Sequence, residues 1–83
     1  MEIMRLDKFL KVSRLIKRRT VANEVSDMGR IFVNGREAKP AKQVKENDII
    51  EIKYANRVVK AKVLKVPLSN VSVQEATSLY EFL

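Results

Sequence analysis

Apolar and small side chains recur every three or four residues near the start of the chain, at Leu6, Phe9, Leu10, Ser13 and Ile16. This spacing places them on one side of a helix that we expect to run from about Leu6 to Leu15. The lysines and arginines between these positions fall outside the stripe. The pattern therefore predicts a helix with one buried side and one strongly basic side.

A second helix is predicted in the segment RRTVANEVSDMG. Thr20 is a suitable N-cap, because its hydroxyl can accept a hydrogen bond from a backbone N–H that the first turn leaves free. Gly29 follows as the residue that takes the left-handed conformation and ends the helix. The apolar side is expected to contain Val21, Ala22, Val25 and Met28.

The middle of the chain is rich in β-branched residues and predicts strands. Asn34-Gly35 is the strongest short hairpin signal, since both central residues of a type I′ turn need a positive φ; it joins IFV to REA. Two further strands are expected in DIIEIKY and RVVKAKVLKV, connected at Ala55-Asn56.

The last residues return to helical spacing, with a stripe at Val73, Ala76, Leu79, Tyr80 and Leu83. Ser72 and Glu75 have the spacing of a capping box, so we expect a C-terminal helix over about 73–83. The predicted fold class is α+β: two short N-terminal helices packed on a small, mostly antiparallel sheet, with this C-terminal helix. We expect one domain over 1–83.

Positive charge is concentrated in one half of the chain. The net charge of the 83 residues is +7. Positions 1–45 contain 12 Lys or Arg and 5 Asp or Glu, which gives +7, whereas positions 46–83 contain 5 of each, which gives zero. Such asymmetry is typical of a protein that binds a polyanion, and it favours a nucleic acid over a basic surface kept for solubility.

Several classes of function fit the sequence poorly. The chain has neither Cys nor His, which removes disulfides, the usual zinc ligands and most catalytic nucleophile and base pairs. We expect no enzyme activity, no metal and no cofactor. No apolar run is long enough to span a bilayer and the N-terminus has no signal-peptide pattern, so we expect a cytoplasmic protein without a membrane partner.

The basic link before the second helix is the first candidate for a binding site. Lys17, Arg18 and Arg19 stand beside a helix N-terminus, whose free N–H groups favour anions, so the corner suits a phosphate. A basic turn that merely stays hydrated is the alternative. Asp7, the acidic residue in this segment, has two equally weighted interpretations. It either accepts a hydrogen bond from an N–H at the helix start or pairs with a nearby arginine and holds that arginine toward RNA, or it is simply an acid at a helix N-terminus that interacts with the helix dipole.

Two other binding modes fit the same residues less well. A DNA-reading helix should display base-contacting side chains, yet the outward positions predicted for the second helix are Asn23, Glu24, Ser26 and Asp27. Two carboxylates there would be repelled by DNA, so contact with phosphates fits better than base reading. A membrane-surface helix is disfavoured because the basic segment lacks Trp and its apolar side is short.

The segments RLDKFLKVSRLIKRRTVANEV, GRIFVNGREAK and ENDIIEI together resemble the alpha-L RNA-binding motif, the domain named for the fourth small-subunit ribosomal protein. The resemblance covers about residues 4–65. It is strongest to small free-standing members that act in ribosome-associated quality control or in the heat-shock response. Most members have Gly-Asp where this chain has Asn47-Asp48; Asn tolerates a left-handed φ, so we expect the turn to be retained.

The resemblance implies a set of RNA-binding residues: Arg5, Asp7, Lys8, Lys11, Ser13, Arg14, Lys17, Arg18, Arg19 and Thr20, with Arg30 and Asn34 in the hairpin less firmly placed. Arg5 and Arg19 are the first candidates for phosphate contacts.

The same resemblance implies a function and partners. A member of this kind binds a large ribosomal subunit that still carries peptidyl-tRNA, contacts large-subunit rRNA and the tRNA, and works with a factor that extends the stalled chain with alanine. We expect a monomer. A general structured-RNA binder that acts in rRNA assembly or modification is the alternative, and a DNA-binding regulator is a weaker one.

Overall fold

The structure is a computed structural model that describes residues 3–67 and 73–83. The helices are α1 (Leu6–Val12), α2 (Arg19–Asp27) and α3 (Val73–Ala76), and the strands are β1 (Ile3–Arg5), β2 (Ile31–Val33), β3 (Arg36–Glu37), β4 (Gln43–Lys45), β5 (Ile49–Lys53), β6 (Val58–Val63) and β7 (Tyr80–Phe82). The α+β class, with two N-terminal helices and an antiparallel sheet, agrees with the prediction from the sequence.

The strands form two antiparallel sheets. The larger has the order β3-β2-β5-β6-β7, and the smaller pairs β1 with β4. In β5, Ile50 and Ile52 are 1% exposed, whereas Glu51 between them is half-buried and Ile49 and Lys53 on either side are exposed. This alternation shows that one side of the larger sheet packs on the core and the other side faces solvent.

The hydrophobic core lies between the two N-terminal helices, α1 and α2, and the sheets. Its largest fully buried side chains include Phe9, Leu6 and Leu10 of α1, together with Ile31 of β2. Burying a side chain of this size stabilises a fold by about 1.5–3 kcal/mol, so α1 is held in place mainly by its apolar side. The predicted stripe of α1 is confirmed, including Ile16 beyond the helix, which is 6% exposed.

The hairpin and the predicted glycine positions are confirmed. Asn34 and Gly35 have φ values of 53° and 83°, as a type I′ turn requires, and the turn joins β2 to β3. Gly29 has a φ of 75° at the end of α2, where its N–H bonds the carbonyl of Ser26. Asn47 has a φ of 76°, so Asn replaces the usual glycine without loss of the turn.

Helix α1 is shorter than the predicted Leu6–Leu15. It ends at Val12, because Arg14 takes a left-handed conformation with a φ of 63°. The N–H of Arg14 then bonds the carbonyl of Lys11 at 3.1 Å, and the N–H of Ile16 bonds that of Leu10 at 3.1 Å. These bonds satisfy carbonyls that a helix end would otherwise leave free.

The predicted C-terminal helix over 73–83 is wrong beyond its first turn. Helix α3 ends at Ala76, and Tyr80–Phe82 is a strand that pairs with β6, with Tyr80 opposite Val63. Helical spacing was misleading because Leu79 is buried in either arrangement, while only the strand gives the edge of β6 its backbone partners. Ser72, the expected cap, lies outside the described residues.

A candidate RNA interface on the first two helices

The interface begins at a buried carboxylate in the first turn of α1. Asp7 is only 2% exposed. Its Oδ1 accepts hydrogen bonds from Nε of Arg5 at 3.2 Å and from the backbone N–H of Lys8 at 2.8 Å. Nη2 of Arg5 donates to Oδ2 of Asp7 at 3.3 Å, so the arginine grips both carboxylate oxygens. Asp7 therefore both pairs with an arginine and accepts a hydrogen bond from an N–H at the helix start.

The second helix supplies another arginine to the same carboxylate. Nε of Arg19 lies 3.3 Å from Oδ2 of Asp7, and Nδ2 of Asn23 donates to that oxygen at 3.4 Å. Arg5 and Arg19 are both about half exposed, at 50% and 47%. Asp7 thus holds two guanidinium groups side by side, and their remaining N–H groups are left for a ligand.

The ionisation of Asp7 follows from these contacts. Burial raises the pKa of this carboxyl, but hydrogen bonds from Arg19, Arg5 and the N–H of Lys8, with the positive charge of Arg19, outweigh burial and lower the pKa below its ordinary value. Asp7 is therefore ionised at neutral pH and keeps both arginines in place.

Around this pair stand further cations of the predicted set. Lys8 is half-buried, and Lys11, Arg14, Lys17 and Arg18 are exposed. Across the described ranges, none of these five side chains has a hydrogen-bond or salt-bridge partner. We call the seven residues the basic face: Arg5, Lys8, Lys11, Arg14, Lys17, Arg18 and Arg19.

The start of α2 differs from the prediction. The helix begins at Arg19 with Arg18 as the N-cap residue, and no side chain caps it, so the assignment of Thr20 as N-cap is wrong. The N–H of Ala22 bonds the carbonyl of Arg18 at 3.0 Å. The first turn of α2 therefore starts two residues earlier than predicted. Thr20 is exposed in that first turn, beside the basic face.

The side of α2 that packs on the core agrees with the prediction at Ala22 and Val25 and differs at other positions. Ala22 and Ser26 are fully buried, whereas Val21 and Met28, which were expected inside, are 40% and 63% exposed. Ser26 was expected outside, but its hydroxyl donates to the carbonyl of Ala38 at 2.6 Å. Small side chains allow α2 to approach the core closely, and this buried hydrogen bond offsets the cost of burying the hydroxyl.

Ser13 has a role inside the fold. It is fully buried, its hydroxyl donates to the carbonyl of Leu10 at 3.3 Å, and its Oγ accepts from the N–H of Leu15 at 3.5 Å. These bonds stabilise the end of α1 next to Arg14. The side chain is therefore not available to a ligand at the surface.

The two hairpin residues of the predicted set stand apart from the basic face. Asn34 donates from Nδ2 to Oδ1 of Asp48 at 3.0 Å and accepts the N–H of Ile49 at 3.0 Å, so its amide is used within the fold. Arg30 is half-buried and its Nη1 donates to the carbonyl of Lys53 at 3.5 Å. The structure therefore brings Arg5 of β1 and Arg19 of α2 together at Asp7 of α1, whereas Asn34 and Arg30 make their side-chain contacts with the turn and strand around β5.

A second buried carboxylate shapes the turn that faces Asn34. Burial raises the pKa of Asp48, but hydrogen bonds from Asn34 and from the N–H of Lys45, with the charge of Lys45, outweigh it and lower the pKa. Asp48 is 5% exposed and ties the turn between β4 and β5 to the hairpin. Its role is structural.

Sequence reasoning missed Asn23 as a partner of Asp7, and it missed two exposed cations near the hairpin, Arg36 and Lys42. Asn23 lies 16 residues from Asp7, so only the packing of α2 on α1 reveals the contact. The net charge of the first half of the chain included Arg36 and Lys42 but did not show which surface they occupy.

No helix in the described ranges combines the length and the apolar character needed to cross a bilayer. Among the same residues, no cluster of three or more potential ligand side chains is placed to hold a metal ion.

The fold and this site define a class of protein. The model of the S4 domain matches residues 4–50, and the chain belongs to the S4 domain family, whose fold is the alpha-L RNA-binding motif. The match includes α1, α2 and the β2–β3 hairpin, and therefore every residue of the basic face.

Within the S4 domain family, the chain is similar to individual proteins over nearly its whole length. The chain is 50% identical over 80 residues to the RQC P-site tRNA stabilizing factor of Streptococcus pneumoniae, covering 96% of this chain and 90% of that protein. It is 46% identical over 80 residues to the protein of the same name from Bacillus subtilis, covering 96% and 92%.

Solved structures show the same fold. The trimeric structure of Vibrio cholerae heat shock protein 15 has a TM-score of 0.87 and 29% identity, covering 99% of this chain and 83% of that one. The solution structure of HP1423 has a TM-score of 0.83 and 31% identity, covering 96% of each chain.

Proposed function

We propose that this chain is an RNA-binding factor that binds large ribosomal subunits obstructed by peptidyl-tRNA, in ribosome-associated quality control. The relatives that share about half of its residues carry the name RQC P-site tRNA stabilizing factor. The observation that carries the proposal on this chain is the pair of arginines held by Asp7 at the centre of the basic face.

The basic face acts by holding phosphates in fixed positions. Arg5 and Arg19 already share one carboxylate, so little side-chain freedom is lost when their remaining N–H groups bind RNA. Lys8, Lys11, Arg14, Lys17 and Arg18 add contacts around them. Contacts of this kind set the position of the RNA and supply affinity, but they carry no direct sequence information.

The RNA partners are large-subunit rRNA and the peptidyl-tRNA. A factor that contacts both holds the tRNA on the subunit while a separate alanine-tailing factor extends the stalled chain. The protein acts as a binding factor without enzyme activity or cofactor, as a single RNA-binding domain and a monomer in the cytoplasm.

The test is a titration of the labelled protein with purified large subunits, prepared with and without peptidyl-tRNA. We expect clearly tighter binding to subunits that carry peptidyl-tRNA. If five or six side chains each neutralise a phosphate, the logarithm of the binding constant falls with the logarithm of salt with a slope of about −4 to −5.

Arg19→Ala should weaken binding and reduce the slope by about one. Lys60→Ala is the matched control, because Lys60 is exposed and faces away from the helices on β6. Equal, weak binding to both kinds of subunit would contradict the quality-control role. Tight binding to naked rRNA fragments regardless of tRNA would instead support the general structured-RNA binder.

A further inference from the structure

A groove lies outside the basic face, between the β2–β3 hairpin and the loop that precedes β4. Its floor contains Val33 and Ala38, which are 3% and 4% exposed. Arg36 and Lys42 line it from the hairpin and from the loop, and both are exposed. The groove is open to solvent, and the sequence pattern predicts no function for it.

The loop side of the groove is fixed to the start of α1. The N–H of Leu6 bonds the carbonyl of Lys42 at 2.7 Å, and Arg5 is the register partner of Gln43 in the smaller sheet. The backbone of Lys42 therefore lies beside the first residue of α1, which follows Arg5 directly in the chain. The groove continues the basic face beyond the arginines that Asp7 holds.

The charged residues that line the groove are Arg36, Lys42 and one acid, Glu37, so its lining carries a net positive charge. Within the described part of the chain, neither Arg36 nor Lys42 has a side-chain hydrogen bond or a salt bridge. Glu37 pairs with Lys39 outside the groove lining, with its Oε2 3.8 Å from Nζ of Lys39. The amide of Asn34, also at the groove, already donates to Asp48. Arg36 and Lys42 thus remain available to an anion.

We infer that this groove binds the phosphodiester backbone of an RNA strand that continues from the basic face past Arg5. Arg36 supplies a planar group that can donate two hydrogen bonds to one phosphate, and Lys42 supplies a mobile point charge. Contacts of these two cations with phosphates add affinity and direction to the bound strand without reading bases. The inference rests on the proposed function and extends its contact surface.

The test uses the full chain with Arg36 and Lys42 both changed to Ala. The matched control changes Lys60 and Lys65 to Ala. Both residues are exposed and lie outside the groove lining, and their substitution removes the same two positive charges. Binding is measured over a range of salt with three partners: large subunits with peptidyl-tRNA, large subunits without it, and free tRNA. Circular dichroism confirms that each variant is folded.

The groove variant should lose about tenfold in affinity, and its salt slope should fall by about 1.4 to 1.8, because each lost phosphate contact removes about 0.7 to 0.9. The control should keep the slope of the unmodified protein. A loss on subunits without tRNA identifies the strand as rRNA, and a loss confined to partners that contain tRNA identifies it as tRNA.

An unchanged slope in the groove variant, or equal losses in the groove and control variants, would overturn the inference. Failure of the proposed function has a different signature, in which peptidyl-tRNA has no effect on binding and Arg19→Ala binds as tightly as the unmodified protein.

Discussion

Asp7 shows how one residue serves both the fold and the site. Its carboxylate balances two arginines that would repel each other at this separation, and it joins the start of α1 to the start of α2. Because the arginines are half exposed, water screens part of the interaction, and the gain in stability is modest. The larger effect is on the arrangement of Arg5 and Arg19 before RNA binds.

Asp7→Asn should make stability less dependent on acid pH. The pKa of Asp7 is lower in the folded state, so its stabilising contribution is present above about pH 4 and is lost as the pH falls through the folded-state pKa. At pH 7 the free energy of unfolding should fall by about 1–2 kcal/mol in the variant. The difference from the unmodified protein should shrink as the pH falls below about 4 and through the lowered folded-state pKa of Asp7.

Urea denaturation over this pH range measures the effect. Asp27→Asn is the control, since it makes the same change at an exposed site on α2. A difference that stays constant with pH would show that the Asp7 carboxylate does not supply the pH-dependent stability.

The fold uses a left-handed conformation at residue 14 to end α1, but it does not require an arginine there. The φ of 63° at Arg14 is a conformation that disfavours any side chain with a Cβ, and glycine would adopt it more easily. Strain of this kind is common at functional sites. Arg14→Gly should therefore raise the free energy of unfolding by about 0.5–1 kcal/mol while weakening RNA binding.

Arg14→Ala separates the two effects. It removes the same charge but keeps a Cβ, so RNA binding should fall without the gain in stability. Thermal denaturation and a binding titration of both variants make the comparison. A glycine variant that binds RNA as well as the unmodified protein would remove Arg14 from the site.

At the scale of elements, local sequence signals were sufficient to predict a turn or a helix end wherever a few residues determine the backbone conformation. Asn34-Gly35 predicted the hairpin and Gly29 predicted the end of α2, because positive φ is a property of single residues. The paired strands β1 and β4 are only three residues each and lie about forty residues apart, so no local pattern indicates them. The strand β7 was missed because its residues continue a helical spacing, and only its pairing with β6 reveals it.

The packing of α2 can be tested at Ser26. Ser26→Ala leaves the buried carbonyl of Ala38 without the hydroxyl that donates to it, and should lower the free energy of unfolding by about 1–2 kcal/mol. Ser78→Ala removes a hydrogen bond of the same 2.6 Å length at an exposed site, to the carbonyl of Glu75.

We expect the Ser78 variant to lose only a few tenths of a kcal/mol, because water replaces the lost donor. Chemical denaturation of both variants gives the comparison. Equal losses would mean that burial of the Ser26 hydroxyl is not what makes its hydrogen bond important.

At the scale of the whole molecule, the apolar side of α1 stabilises the fold and the basic face is available to bind RNA. Phe9 and Leu10 anchor the helix in the core, and the cations on its other side and on the following link remain in solvent. The sequence predicted this division from periodicity and from the charge asymmetry. It could not predict that Arg5 and Arg19 meet at one carboxylate, since that contact depends on how two helices pack.

The most direct test of the central claim is sedimentation of the tagged protein from cell lysate at moderate salt. Three forms are compared: the unmodified protein, Arg19→Ala and the exposed-site control Lys60→Ala. We predict that the unmodified protein and the control comigrate with large subunits that carry peptidyl-tRNA, and that Arg19→Ala does not. Migration with free RNA, or with whole ribosomes regardless of tRNA, would contradict this account.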